Sequence, residues 1–312
     1  MDGQSIGLGS VEDVARAIAE RATIPHDTLR RLPFGENILF ETGAYIIKIY
    51  APDRDQHARE AAALELGERW TAVEAPRIFA RGEVDGSHYI VMTRVEGTRL
   101  FELWPSLDRR AREPIVRQLS RAMRELQTFV PRPAALTRDW RAFIEHQAAT
   151  SLDRQRRCGV PQPWLAALPR YLDERELVMS DESVFLNGDI HAGNILVAER
   201  NGAWTITGVV DFGDSFFGPH EYEFVAPGVL MVQGDAGLQI AMFEEYANTR
   251  TEIDEQLRRR LMLLTIFYEC SDLRKYALRL RADAINLSLE ELERAIYPFA
   301  HSRNTRPSSC PR

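Results

Sequence analysis

Apolar and polar positions change their period several times along this chain, and the changes predict its elements. After Ser10, the segment VEDVARAIAERA spaces its apolar residues as an amphipathic helix does, with Ser10 placed to cap it. A strand, a turn and a second strand are predicted across Leu32 to Phe40, and Thr42-Gly43 marks the next hairpin turn. Tyr45 to Tyr50 then alternates with period two, which puts Lys48 on the face opposite Ile47 and Ile49. Ala58 to Leu66 is strongly helix-forming. Asp85-Gly86 is a turn between two strands, the second containing Tyr89-Ile90-Val91-Met92. A helical period returns from Asp108 to Arg175, where Ile115, Val116, Leu119, Met123 and Leu126 recur at steps of three and four. The short apolar runs Ile195-Leu196-Val197 and Val209-Val210 read as strand. Helical blocks follow over roughly Glu221 to Met231, Ala236 to Tyr246, Asp254 to Leu280 and Leu289 to Phe299, broken by Pro219, Pro227 and Gly234. The pattern implies an α+β chain with a small antiparallel sheet lobe carrying one helix and a larger, mainly helical lobe.

Length and composition narrow the class. At 312 residues the chain exceeds the size at which single cores stop growing. We expect an N-terminal helical segment at 1–25, a small lobe at 26–95, a large lobe at 96–300, and a disordered tail at 301–312. The 45% hydrophobic and 27% charged content is that of a globular protein, and no apolar run reaches the length of a membrane span. The start lacks a basic region followed by an apolar stretch, so no export signal is expected. Cys158, Cys270 and Cys310 are scattered, without metal-ligand spacing or a disulfide framework, which suits a cytoplasmic protein. A net charge of −7 argues against nucleic acid as a partner and biases encounter toward a cationic substrate.

The candidate chemistry lies in two loops. Residues 187 to 196 read NGDIHAGNIL and residues 209 to 214 read VVDFGD. Asp189, Asn194 and Asp211 supply what phosphoryl transfer asks of a protein: a carboxylate for the attacking hydroxyl's proton, and oxygen ligands that hold magnesium against phosphates. An Asp followed five residues later by Asn, then a strand-borne Asp-Phe-Gly, is the order that protein kinases use. Lys48 stands out because only two of the 39 basic residues are lysine, Lys48 and Lys275. A compact ammonium bridges adjacent phosphates where the broad arginine fork does not fit. Glu60 on the following helix could orient it, with Glu65 as the rival partner. Met92, Thr93 and Val95, where the chain leaves the sheet, are the expected hinge against the purine. Gly35 marks the place for a phosphate-covering loop, although no G-x-G-x-x-G or Walker loop is present.

With Lys48, Glu60, YIVMTRVEGTRL (Tyr89 to Leu100), NGDIHAGNIL and VVDFGDSFFGPHEYEF in this order, the chain resembles the aminoglycoside phosphotransferase superfamily from about Leu32 to Phe299. That superfamily shares its fold with choline kinase and, more distantly, protein kinases; this chain looks closest to hygromycin-phosphotransferase-like members. The resemblance implies a two-lobed protein-kinase-like fold, ATP and Mg2+ as cofactors, Asp189 as catalytic base, Asn194 and Asp211 as metal ligands, and Lys48 on the phosphates paired with Glu60. Three positions depart from the family pattern. Asn187 stands where histidine usually precedes Gly-Asp, His220 interrupts the usual Gly-Asp-Pro, and Asp211-Phe212-Gly213-Asp214 leans toward the protein-kinase version. Asn187 is expected to support the loop by hydrogen bonding, and His191 to brace it.

On the acceptor side, Glu221, Glu223, Glu269 and Asp272 are candidates to receive ammonium groups of a small polar cationic substrate, and Trp204 or Phe216-Phe217 to stack a ring. The expected activity is transfer of the ATP γ-phosphate to an aminoglycoside-like hydroxyl by a monomer or weak dimer. A metabolic kinase for choline, an amino alcohol or hydroxylysine uses the same donor machinery. A catalytically silent nucleotide-binding module is the alternative outside enzymes.

Overall fold

The computed structural model describes residues 10–33, 37–51, 56–175, 177, 182–247 and 254–298. Gly35 of the expected phosphate-covering turn and the 301–312 tail lie outside the described residues. The small lobe opens with α1 (Val11–Ala22), whose cap Ser10 accepts a hydrogen bond from the Asp13 amide at 3.2 Å. Next come β1 (Arg30–Leu32), β2 (Ile38–Thr42), β3 (Tyr45–Ile49), α2 (Gln56–Gly67), β4 (Ile78–Val84) and β5 (Ser87–Thr93). The strands form one antiparallel sheet in the order β1-β2-β3-β5-β4. Asp85 and Gly86 join β4 to β5 at φ 52° and 75°, the positive values that a tight two-residue hairpin needs.

Alternation divides this sheet into two faces. Ile47, Ile49, Tyr89 and Val91 point to one side, where Ala15, Ile18 and Ala19 of α1 cover them. Removing a side chain such as Ile18 from water contributes about 1.5–3 kcal/mol, enough to hold a short helix on a sheet. The other face carries Ile46, Lys48, Ile90 and Met92 toward α2 and the cleft between the lobes.

The large lobe continues with β6 (Thr98–Arg99), α3 (Leu100–Leu103), α4 (Arg109–Leu126), α5 (Trp140–Arg157), α6 (Gln162–Asp173), β7 (Val184–Leu186), β8 (Ile195–Arg200), β9 (Ala203–Val209), β10 (Phe216–Gly218), α7 (Val225–Pro227), α8 (Ala236–Ala247), α9 (Glu255–Phe267), α10 (Leu273–Leu280) and α11 (Leu289–Ile296). β6, β8 and β9 form a three-stranded sheet, and β7 pairs with β10. The stripe Ile115, Val116, Leu119, Met123 and Leu126 of α4 is fully buried in the main core.

Two expected helices are broken. Glu221 to Met231 is a 3-10 turn, the short α7 and a π turn closed by Gln233 N donating to Gly228 O at 2.9 Å; Pro219 and Pro227 lack the donors a regular helix would use. Asp254 to Leu280 splits because Tyr268 turns extended at φ −60°, ψ 135° and Asp272 caps a new helix by accepting from the Lys275 amide at 2.8 Å. Both breaks bring loop residues, Glu223 and Tyr268, to the loop between β7 and β8.

The lobes are joined beside the hinge. Glu74 N donates to Thr207 O at 3.0 Å and Val209 N to Glu74 O at 2.9 Å, forming a parallel bridge with Gly208, while Thr207 Oγ1 donates to the Glu96 carbonyl at 2.7 Å. Trp70 Nε1 donates to the Ala122 carbonyl at 3.0 Å. Among the described residues no helix is long and apolar enough to cross a membrane.

Candidate active site

The pleat of β3 delivers Lys48 to α2, and the buried side of α2 presents Glu60. Lys48 Nζ lies 2.9 Å from Glu60 Oε1, 2.7 Å from Oε2 and 2.9 Å from Asp211 Oδ1. Lys48 is 5% exposed and Glu60 1%. Burial alone would lower the lysine pKa, but Glu60 and Asp211 more than offset it and the group is held above its ordinary value, firmly cationic. Tyr50 OH donates to Glu60 Oε2 at 2.7 Å and fixes the carboxylate. Glu65 instead pairs with Arg81 at 3.1 Å on the surface, so the choice between the two glutamates falls to Glu60.

Asp211 sits just past β9 at φ 66°, a left-handed conformation that turns its carboxylate into the cleft, where the side chain is 45% exposed. Burial would raise its pKa; the Lys48 ammonium overrides this and holds the carboxyl below the usual range. Phe212, the next residue, is fully buried edge-on to Trp70.

The second loop runs from β7 to β8. Gly188 adopts φ 85°, and a Cβ there would lie 2.6 Å from the Asp214 carbonyl oxygen, so glycine is required by conformation and by space. Asn187 ties the loops together: its Nδ2 donates to Asp211 O at 2.9 Å and its Oδ1 accepts from Asp189 N at 3.1 Å. His191 braces the turn, its Nδ1 accepting from Gly193 N at 2.9 Å, which assigns the proton to Nε2, 3.4 Å from Asp189 Oδ2. Asn194 Nδ2 donates to Asp189 O at 3.0 Å and Oδ2 at 3.1 Å. With the amide nitrogen thus used, Oδ1 of Asn194 is the atom left to meet a cation.

Lys48, Met92, Thr93, Val95, Asn194 and Asp211 line one cleft of about 530 Å³. Arg99 lines it too, donating to the Gly193 carbonyl at 2.7 Å. Nothing in an arginine-rich chain singles that residue out.

The proposed acceptor residues divide. Glu221 is buried against Arg260, whose Nε donates to its Oε1 at 2.9 Å. Glu223 is buried beneath the loop and accepts from the Gly188 amide at 3.2 Å; burial pushes its carboxyl up to about 8, so it is neutral at pH 7. Asp272 caps α10, its Oδ1 accepting from the Lys275 amide. Packing thus gives each of these three carboxyls an internal partner on one oxygen, which the sequence pattern did not foresee. Glu269 is half-exposed, 3.5 Å from Arg138. Asp214, which sequence reasoning missed, stands near it; burial first, then Asp189, Asp211 and Glu269, push its carboxyl up to about 6. Phe216 and Phe217 are core residues, and Trp204 packs against the main core.

The sequence profile of the phosphotransferase enzyme family matches residues 35–261. Among solved structures, the chain is similar to the GDP complex of aminoglycoside 2'-phosphotransferase-IIIa, at 20% identity over 92% of this chain and 98% of that one, with a TM-score of 0.66. It is also similar to the streptomycin-ATP complex of APH(2")-IIa (13% identity, 94% and 99% covered, TM-score 0.62) and to APH(4)-Ia (19%, 92% and 99%, 0.58). At these identities the likeness is one of fold, and it does not single out a hygromycin-type member.

Proposed function

The chain belongs to the phosphotransferase enzyme family, and from that premise we propose an ATP- and magnesium-dependent kinase that phosphorylates a hydroxyl of a small, cationic, aminoglycoside-like acceptor. The observation that carries this reading is the unbroken chain of contacts from Glu60 through Lys48 to Asp211, and from Asp211 through Asn187 to Asp189 and Asn194, spanning both lobes around one cleft. Lys48 supplies a fixed ammonium for donor phosphates, and Met92, Thr93 and Val95 offer an apolar and backbone wall for the base. Asn194 Oδ1 and the Asp211 carboxylate are hard oxygen donors and fit magnesium, which usually takes one or two protein ligands and completes its shell with phosphates and water. Bound there, the ion would neutralise charge developing on the phosphates.

In the proposed step the acceptor oxygen forms a bond to the γ-phosphorus as the bond to the β-phosphate oxygen breaks. The hydroxyl proton passes to Asp189, and ADP leaves. Glu269 and Asp214 stand on the acceptor side, where charge-assisted hydrogen bonds would orient a cationic substrate.

Incubation with magnesium ATP or GTP and a panel of kanamycin, gentamicin, streptomycin, hygromycin B, choline and hydroxylysine, read by product mass, tests the proposal. A gain of one phosphate on an aminoglycoside supports it. Phosphorylation of choline or hydroxylysine alone would make the protein a metabolic kinase. Nucleotide binding without any product would make it a silent module.

A further inference from the structure

We propose that Tyr268 is a positioning residue for phosphoryl transfer, holding the Asp189 carboxylate in register with the acceptor wall; this rests on the kinase reading above. Its hydroxyl donates to Asp189 Oδ1 at 2.6 Å. Among the described residues, the other side-chain contacts of that carboxylate come from Asn194 and His191, within the loop itself. Tyr268 reaches it from a different part of the chain, 79 residues away. The ring is 5% exposed and packs among Leu186, Phe216, Tyr222 and Leu264. Burial and the adjacent Asp189 keep the phenol protonated, so it acts only as a donor.

Both carboxylate oxygens are thereby held, Oδ1 by Tyr268 and Oδ2 by Asn194. A carboxylate offers about four lone-pair positions, so an acceptor hydroxyl still finds one open. Its direction, however, is set by the tyrosine. The same backbone step governs the acceptor side: Tyr268 is where α9 ends, and Glu269, next in sequence, faces Arg138 and raises the pKa of Asp214. One extended residue thus sets the base and the acceptor wall together.

Tyr268→Phe isolates the hydroxyl, because the ring and its packing remain. ADP release from magnesium ATP, with water and with each acceptor of the panel above, is measured alongside ATP affinity and Tm, with both proteins assayed well below their midpoints. The expected result is a kcat lowered roughly 10- to 100-fold with KM for ATP within about twofold of the parent, since misplacing a reacting group by about 1 Å costs on that order. An unchanged kcat overturns the inference, as does a loss of kcat matched by equal losses of ATP affinity and Tm, which would mark a structural role. Wild-type protein that binds magnesium ATP but phosphorylates no member of the acceptor panel overturns the kinase reading and this inference with it. Wild-type turnover matched by Tyr268→Phe overturns this inference alone.

Discussion

Asp189 is held by Tyr268 and Asn194 yet remains partly exposed, which suits the proposed role of a base that meets substrate. Asp189→Ala is expected to lower transfer by roughly 10²- to 10⁴-fold, the usual weight of a general base, and to leave ATP affinity within about twofold. Product mass and calorimetric titration check the two halves separately. Glu223 gives a prediction of a different kind. Its carboxyl titrates near 8 in the fold against an ordinary 4.5, so folding takes up a proton between those values. The stability it contributes is fully present below about pH 4.5 and is lost as pH rises through about 8. Glu223→Gln mimics the neutral form, and its Tm should gain on the parent from pH 5 to pH 8.5; parallel Tm profiles would refute the assignment. The contrast with Glu60 shows what the sequence made legible. Lys48, Glu60, Asp189, Asn194 and Asp211 could be expected to converge because phosphate chemistry demands those groups in that order. Glu221 and Glu223 could not be placed, because a carboxyl's partner is set by packing; Arg260 meets Glu221 from 39 residues away.

At the scale of elements, β9 has two tasks. It leads into Asp211, two residues past its end, and through Gly208 it lets the 74–76 connection and the hinge pack closely. A Cβ at Gly208 would lie 2.6 Å from the Glu74 carbonyl oxygen and nearer still to Val95 Cγ1. Gly208→Ala should therefore displace Val95 at the cleft wall and raise KM for ATP several-fold, on the order of 1 kcal/mol, with a smaller effect on kcat. Steady-state kinetics over ATP concentration decides between this and a uniform loss of active protein. The small-lobe strands were legible because alternation and the Asp85-Gly86 turn agree. The split of Asp254 to Leu280 was not, since its apolar residues continue a helical period through Tyr268; only the Asp272 cap hints at a restart. That break is what presents Tyr268 to Asp189.

Taken whole, the molecule places its charges unevenly. Among the described residues, arginine makes nearly all of the surface ion pairs, such as Arg81 with Glu65 and Arg121 with Glu245. One of the two lysines is exposed on α10, and the other lies at the meeting of the lobes. Grown on nitrogen-labelled lysine, the protein would show an uncrowded spectrum, with one side-chain resonance reporting on bulk water and one on the catalytic centre. Titration with magnesium ATP should move the Lys48 resonance and leave that of Lys275 as an internal reference. If both stayed still while the nucleotide bound, the triphosphate would have to lie elsewhere. A preference for arginine, spread over the entire surface, thus leaves the reactive centre with an almost private spectroscopic label.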